Sequence, residues 1–144
     1  ASVNAPEPGK RPLSSMSPTI VLDPEGRPFM SLGSAGAMRI ITAMSQIIMN
    51  VVDFGMTMDE AIEQPRIFNV ASSGKAGKLL VEGGIDPATV MYLQFRGHTI
   101  DERARGGYFG TAQGILINYA KGMHQHGRIN GGADSRRLGV PVGF

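Results

Sequence analysis

Two adjacent hydroxyl side chains stand just ahead of a predicted strand near the start of the chain. Ser14 and Ser15 occupy the middle of the run 11–19, and the strand is predicted over residues 17–22. Because a hydroxyl both donates and accepts hydrogen bonds, two neighbouring hydroxyls suit a substrate carboxylate. The alternative is a serine-rich loop whose hydroxyls bond to local backbone groups, and composition alone favours that alternative.

A run of small residues at 33–37 (Gly-Ser-Ala-Gly-Ala) precedes the clearest predicted helix. The first N–H groups of a helix have no intrahelical partner, and the helix dipole adds partial positive charge there. Small residues let a substrate approach such donors, which can stabilise a developing oxyanion. The run matches neither a P-loop nor G-x-G-x-x-G, so no nucleotide site is indicated. Taken by itself, the spacing favours a plain strand-to-helix connection.

The three histidines do not form a predicted metal site. His124 and His126 lie two residues apart in a glycine-rich segment, and His98 is distant in sequence. No cysteine or nearby carboxylate completes a ligand set of the kind that zinc needs. A solvated hairpin turn is the preferred interpretation of this segment, and no metal or other cofactor is predicted.

Several charged residues are assigned structural roles. Arg66, Asp134 and Arg136 are expected to form ion pairs or caps rather than catalytic contacts. Asp59 and Glu60 fit the start of a short helix, where the dipole favours carboxylates. No paired-carboxylate acid–base site is therefore proposed.

The elements that would position these residues form a layered α+β pattern. Strands at 17–22 and 27–32, joined by the turn 23–26, predict a hairpin. An apolar stripe over residues 37–51 predicts a long amphipathic helix that ends at Gly55.

The remainder of the chain predicts shorter elements. Thr57 and Glu60 form a capping box that starts a short helix, which Pro65 helps to end. The further elements expected are a strand at 78–82, a helix at 87–96 capped by Asp86, strands after residue 98 and at 114–119, a turn at 122–127 and an irregular tail at 131–144.

Composition excludes several classes of protein. Hydrophobic residues make up 42% and charged residues 18%, which is enough apolar material for a folded core. The basic residues form no stripe that would follow a phosphate backbone, so nucleic acid is not an expected partner. The longest apolar stretch, 35–54, contains Arg39 and Asp53 and predicts no membrane span. The chain lacks an initial Met and an apolar leader, so an excised fragment or a processed product is expected.

Read together, the motifs resemble those of the gamma-glutamyltranspeptidase family. The run 10–20 (Lys-Arg-Pro-Leu-Ser-Ser-Met-Ser-Pro-Thr-Ile) is similar to the family signature. The run 33–37, followed by Arg39-Ile40-Ile41, resembles the family's Gly-Ser-Pro-Gly-Gly turn and its helix. Further similarities, in the same order along the chain, are Glu60-Ala61, Pro65-Arg66, Gly97-His98, Ala112-Gln113 and the segment 133–139, which resembles a terminal Asp-Pro-Arg motif.

The resemblance implies part of a four-layer αββα sandwich, the fold of N-terminal nucleophile hydrolases. Family members are precursors that cleave themselves, which leaves a small subunit with a threonine at its N-terminus. That hydroxyl attacks a gamma-glutamyl amide such as glutathione, and the free α-amino group serves as its base. Water or an amino acid then releases the glutamyl group from the acyl-enzyme.

Carried over by motif, the resemblance assigns Ser14 and Ser15 to the α-carboxylate of the gamma-glutamyl substrate. The N–H groups of Gly36 and Ala37 would form the oxyanion hole. Ala35 stands where the family has proline, and Ala37 stands where it has a second glycine. The N–H of Ala37 is expected to remain an oxyanion donor if the φ of this residue is negative. The methyl group is expected to narrow the oxyanion hole.

The resemblance also implies that residues 1–144 are the C-terminal part of the small subunit. The nucleophilic threonine would lie upstream, and the large subunit of the same precursor would be the partner. The isolated chain is therefore expected to be inactive and, with an unpaired sheet edge, to self-associate. Bacterial family members imply a periplasmic or extracellular location. Two alternatives remain: a cephalosporin acylase-like or poly-gamma-glutamate-processing enzyme, and a non-catalytic structural module.

Overall fold

The computed structural model describes residues 5–12, 16–72, 75–119 and 128–142. The α+β fold predicted from the sequence is confirmed, and none of the described helices is both long and apolar enough to cross a membrane. The strands are β1 (Thr19–Leu22), β2 (Pro28–Ala35), β3 (Ile67–Ser72), β4 (Lys75–Glu82), β5 (Ile100–Arg103), β6 (Thr111–Asn118) and β7 (Arg128–Ala133). The helices are α1 (Arg39–Val52), α2 (Met58–Glu63) and α3 (Pro87–Phe95), and two 3₁₀ turns span Gly107–Phe109 and Ser135–Arg137.

Four strands form an antiparallel sheet in the order β1-β2-β6-β7. β1 and β2 are the predicted hairpin, in which Gly26 has a φ of +78° and the N–H of Arg27 donates to Asp23 Oδ1 at 2.8 Å. β2 then pairs with β6 in a register that sets Ala35 opposite Thr111. This register brings the end of β2 beside the start of β6.

α1 buries one face against the four-stranded sheet. The cluster contains Ile40, Met44, Ile47 and Val51 of α1 together with Met30 and Leu32 of β2. Ile47 is fully buried, and burial of such a side chain stabilises a fold by about 1.5–3 kcal/mol. The predicted apolar stripe is confirmed, although the helix begins at Arg39 rather than at residue 37.

α2 begins at the predicted capping box. The hydroxyl of Thr57 accepts from the N–H of Glu60, and the Glu60 carboxylate accepts from the N–H of Thr57 at 2.9 Å. The helix lies close to the sheet because a Cβ atom on Gly132 would stand 2.8 Å from the backbone of Met58. The N–H of Met58 also donates to Asn130 Oδ1 at 2.9 Å. A close backbone approach and a hydrogen bond to the Asn130 side chain therefore hold α2 on β7.

The other three strands form a second sheet in the order β3-β4-β5. β4 and β5 are parallel, and α3 lies between them in sequence. α3 begins at the predicted cap, where Asp86 Oδ1 accepts from the N–H of Ala88 at 2.9 Å. The small hydrophobic core between this sheet and α3 contains Leu79, Val81 and Val90.

Other expectations need correction as well, beginning with the second hairpin strand, which continues to Ala35 instead of ending at residue 32. No strand is predicted at 67–72, where β3 pairs with β4. β6 begins at residue 111 rather than 114, because its pairing with β2 extends that far. Residues 131–133 are not irregular, since they pair with β6 as the end of β7. The turn predicted at 122–127 lies outside the described residues.

Candidate functional site

The connection between β2 and α1 holds Gly36 and Ala37, the two residues expected to supply oxyanion donors. Their carbonyl oxygens accept hydrogen bonds from the N–H groups of Arg39 at 3.2 Å and Ile40 at 3.1 Å. Among the residues that the structure describes, neither the Gly36 N–H nor the Ala37 N–H has an acceptor. The turn thus presents two neighbouring donors at the start of a 14-residue helix, whose dipole favours negative charge at that end.

Ala37 departs from the expectation for its backbone. A negative φ is expected for the donor at position 37, but Ala37 has a φ of +53°, in the left-handed region. An L-residue with a Cβ atom is strained there by roughly 1–2 kcal/mol relative to the right-handed region. The residue therefore keeps a backbone conformation that glycine adopts without strain, and the methyl group imposes the cost.

Gly110, directly before β6, lies against this turn. A Cβ atom on Gly36 would lie 2.8 Å from the Cα atom of Gly110, so the two backbones are in contact. A Cβ atom on Gly110 would in turn lie 3.1 Å from the carbonyl oxygen of Ala35. Gly36 and Gly110 have φ angles of +150° and +85°. Only glycine fits both positions without displacing backbone.

A buried ion pair is hydrogen-bonded to the carbonyl oxygen of Gly110. The side chains of Arg66 and Asp134 are 2% and 0% exposed, and Arg66 Nη2 is 2.8 Å from Asp134 Oδ2. Arg66 Nη1 donates to the carbonyl oxygen of Gly110 at 3.0 Å, and Nη2 also donates to that of Ile62 at 2.7 Å. Asp134 Oδ2 accepts from the N–H of Ala112 at 3.0 Å. The pair therefore connects α2, the start of β6 and the segment after β7.

A second buried pair completes the cluster. Arg136 Nη2 is 2.6 Å from Glu82 Oε2, Arg136 Nε donates to Glu82 Oε1 at 2.7 Å, and both side chains are fully buried. Arg136 Nη1 also reaches Asp134 Oδ1 at 3.1 Å, while Glu82 Oε2 accepts from the N–H of Arg66 at 3.0 Å. Glu82 ends β4, so the cluster joins the two sheets. The structural ion pairs predicted for Arg66, Asp134 and Arg136 are present, with Glu82 as an additional member.

The environment of the cluster shifts two of its pKa values in the same direction for different reasons. Burial would raise the pKa of Asp134, but the charge of Arg66 and the N–H groups of Ala112 and Arg136 outweigh burial and lower it. Burial and the repulsive charge of Arg136 lower the pKa of Arg66, against the attraction of Asp134. Burial also opposes the charged form of Arg136, yet Glu82 and Asp134 raise its pKa. Asp134 is therefore a carboxylate at neutral pH, held by two guanidinium groups.

A more exposed carboxylate fastens the segment after β7 to α2. Glu63 accepts from the N–H of Ser135 at 2.9 Å and from its hydroxyl at 2.8 Å, and it pairs with Arg105. Partial burial would raise the pKa of Glu63, but these hydrogen bonds and the charges of Arg105 and Arg136 lower it. This contact lies beside the buried cluster without touching Gly110.

Arg39 places a further positive charge beside the turn. Its guanidinium carbon lies 3.9 Å from the ring centroid of Tyr108 and 5.4 Å from that of Phe68, distances at which cation–π attraction operates. The Nε atom of Arg39 is buried and has no hydrogen-bond partner within the described residues. A cation in the first turn opposes the helix dipole, so the aromatic rings compensate for an unfavourable position.

The structure describes one half of the site predicted from sequence. Gly36 and Ala37 lie together in the turn, whereas Ser14 and Ser15 lie outside the described residues. Gly110 was not among the predicted site residues. Its role depends on the pairing of β2 with β6, which no local feature of the sequence shows.

The described residues hold no group of three or more metal-binding side chains. His98 is among these residues and follows α3. His124 and His126 lie outside them. The solvated hairpin turn expected for that pair stays a prediction.

Comparison with known proteins places this geometry in a family. The sequence profile of the gamma-glutamyltranspeptidase family matches residues 1–144. The glutathione hydrolase proenzyme of Escherichia coli (strain K12) is 35% identical over 135 residues, which is 94% of this chain and 21% of that protein. The acylase ACY 1 proenzyme of Pseudomonas sp. (strain SE83) is also 35% identical over 135 residues, with 94% of this chain and 22% of that protein covered.

The fold agrees with the sequence similarity. The crystal structure of a Helicobacter pylori gamma-glutamyltranspeptidase variant superposes with a TM-score of 0.78 at 33% identity, and it covers 95% of this chain and 69% of the other. The chain spans about a fifth of the length of the two proenzymes. It has the fold of part of an N-terminal nucleophile hydrolase. With its whole length matched by the family profile, the chain belongs to the gamma-glutamyltranspeptidase family.

Proposed function

We propose that this chain supplies the oxyanion hole and the α-carboxylate site of an enzyme that cleaves gamma-glutamyl amides such as glutathione. The observation that carries the proposal is the pair of N–H groups at Gly36 and Ala37. Both lack an acceptor among the described residues, and both stand in a turn at a helix N-terminus. Donors held in advance at such a place stabilise the charge that develops on a carbonyl oxygen during acyl transfer.

In this proposal the remainder of the complete protein carries the nucleophile, a threonine at the N-terminus of the small subunit. Its oxygen attacks the γ-carbonyl carbon, a C–O bond forms, and the carbonyl oxygen becomes an oxyanion between the two donors. Collapse of this intermediate breaks the C–N bond, and the amine leaves with the proton that the α-amino group took from the threonine. Water or an acceptor amine then cleaves the ester by the same route.

The large subunit of the same precursor is the proposed partner. The relatives named above are proenzymes of about five times the matched length, which supports processing into parts. Residues 1–144 then form the C-terminal part of the small subunit. The proposal includes no cofactor, because the nucleophile and its base come from one residue.

Ser14 and Ser15 are the proposed ligands of the substrate α-carboxylate. The test replaces both by alanine in the complete protein and follows hydrolysis of gamma-glutamyl-p-nitroanilide. Loss of hydrogen bonds to a charged group costs about 1.5–3 kcal/mol each, so KM is expected to rise by tenfold or more. Ser45→Ala is the matched control, since that hydroxyl bonds to the carbonyl of Ile41 within α1. An unchanged KM in the double variant would remove the carboxylate assignment.

A cephalosporin acylase-like activity is the second candidate. It is supported by the similarity to an acylase proenzyme and by Ala35 and Ala37, which differ from the family's turn. Hydrolysis of a glutaryl-cephalosporin, compared with gamma-glutamyl-p-nitroanilide, separates the two. Activity on the cephalosporin alone would make the acylase the preferred function. Activity on neither substrate would favour the non-catalytic module.

The isolated chain 1–144 is expected to be inactive and to self-associate. β1 lies at the edge of its sheet, and Ile20 and Leu22 on it are 69% and 56% exposed. An edge strand of this kind can pair with another copy. Light scattering checks this expectation, and a monodisperse monomer would contradict it.

A further inference from the structure

The buried charge cluster joins α2, the two sheets and the segment after β7. It places two guanidinium groups and two carboxylates out of contact with water. Removing charges from water is costly, and replacing such a cluster by apolar side chains is often neutral or stabilising. A gain in stability therefore does not by itself account for it. The positions of its hydrogen bonds indicate what else it does.

Arg66 is the member that reaches toward the turn. Its Nη1 atom donates to the carbonyl oxygens of Gly110 at 3.0 Å and Phe109 at 3.4 Å. Asp134 fixes the other end of the guanidinium at 2.8 Å and binds the N–H of Ala112 with the same oxygen. The backbone on both sides of Gly110 is thus hydrogen-bonded to one buried ion pair.

Gly110 links the ion pair to the turn, because it contacts Gly36. The two residues touch through their backbones, and the next residues along the two strands, Ala35 and Thr111, are paired in the sheet. The order of contact is Asp134, Arg66, Gly110, Gly36. Each step is a hydrogen bond, an ion pair or a backbone contact between described atoms.

We propose that Arg66, oriented by Asp134, is a positioning residue that sets the direction of the Gly36 and Ala37 N–H groups through the Gly110 carbonyl. The inference rests on the proposed oxyanion hole and deepens it. The planar guanidinium binds Asp134 and three carbonyl oxygens at once, which a lysine ammonium on its flexible stem does not reproduce. A misplacement of about 1 Å in a catalytic group can reduce a rate by about a hundredfold.

The test compares Arg66→Lys with Arg105→Lys in the complete, processed protein. Arg105 is the matched control because it pairs with Glu63 beside the cluster and has no hydrogen bond to Gly110. Active sites are counted by stoichiometric labelling with a gamma-glutamyl-type covalent inactivator and mass spectrometry. We expect kcat per labelled site to fall by about tenfold or more in Arg66→Lys, with KM within about threefold, and both constants to stay within about twofold in Arg105→Lys.

A purely structural role predicts a different pattern: fewer labelled sites and a lower melting temperature, with kcat per site unchanged. That result would overturn the inference. If Arg66→Lys does not yield folded enzyme, Asp134→Asn carries the same test at a temperature below its own melting transition, because it loosens Arg66 while keeping the side-chain shape. Wild-type kcat per site in that variant would also overturn it.

The proposed function and the positioning role are contradicted by different results. A wild-type protein without activity on gamma-glutamyl-p-nitroanilide and on glutaryl-cephalosporin would refute the function itself. An active wild type with an equally active Arg66→Lys would refute only the positioning role.

Discussion

Gly36 lies so close to Gly110 that a side chain on Gly36 would displace the backbone of Gly110. A Cβ atom on Gly36 would stand 2.8 Å from Gly110 Cα, well inside normal contact distance. The contact joins the turn before α1 to the first residues of β6, two segments far apart in sequence. The sheet register, the buried ion cluster and the two N–H groups that lack an acceptor among the described residues all meet at this contact.

Gly36→Ala is expected to abolish most of the activity of the complete protein. The new methyl group meets backbone, and a φ of +150° is strained for alanine. Displacing an oxyanion donor costs about 10²–10³ in kcat. Gly83→Ala is the control, because its Cβ atom would make only ordinary contacts beyond 3.4 Å. Steady-state kinetics check the prediction, and a wild-type kcat in Gly36→Ala would contradict the assignment of the turn.

Ala37→Gly is expected to leave the protein equally stable or more stable. Relief of the left-handed strain at φ +53° gains roughly 1–2 kcal/mol, whereas the extra freedom of glycine in the unfolded chain costs about 0.4–1 kcal/mol. Ala35→Gly, at the end of β2, has only the cost and should lower the melting temperature. Thermal unfolding of the two variants checks the difference. Equal destabilisation by both would mean that position 37 stores no strain.

Local signals predicted the elements beside the site well. The capping box of Thr57 and Glu60 and the cap at Asp86 appear in the structure as expected, because each depends on residues within one helical turn. The amphipathic stripe of α1 was visible for the same reason, since a 3.6-residue period is a local property. These elements also predict the position of the turn that precedes α1.

The parts that sequence reasoning missed depend on distant pairing. β3 becomes a strand through β4, and the contact of Gly36 with Gly110 exists because β2 lies beside β6. The pairing of Glu82 with Arg136 could not be predicted, because it requires the two sheets to lie next to each other. The φ of Ala37 could not be inferred from residue type either, because alanine ordinarily avoids the left-handed region.

Thr57→Ala is expected to destabilise the protein through the start of α2. The variant loses the hydroxyl that accepts from the Glu60 N–H, and loss of an N-cap typically costs about 0.5–2 kcal/mol. Thr89→Ala, inside α3, is the matched control, because alanine favours a helix interior. Chemical unfolding measures both variants. The prediction is wrong if Thr57→Ala unfolds at the same denaturant concentration as Thr89→Ala.

Asp134→Asn is expected to destabilise the protein strongly at neutral pH and less in acid. Removing one partner of a buried ion pair costs about 3–5 kcal/mol, because the guanidinium group of Arg66 loses its direct counter-charge and that of Arg136 keeps only Glu82. The folded-state pKa of Asp134 is lowered below its ordinary value of 3.8, so its contribution is complete above that value and disappears as the pH falls through the folded-state pKa. The difference in melting temperature between wild type and Asp134→Asn should therefore be constant from about pH 7 to pH 5 and shrink below about pH 4. A difference that stays constant to about pH 2, or that shrinks already near neutral pH, would show that the Asp134 carboxylate does not stabilise the cluster in the way its contacts indicate.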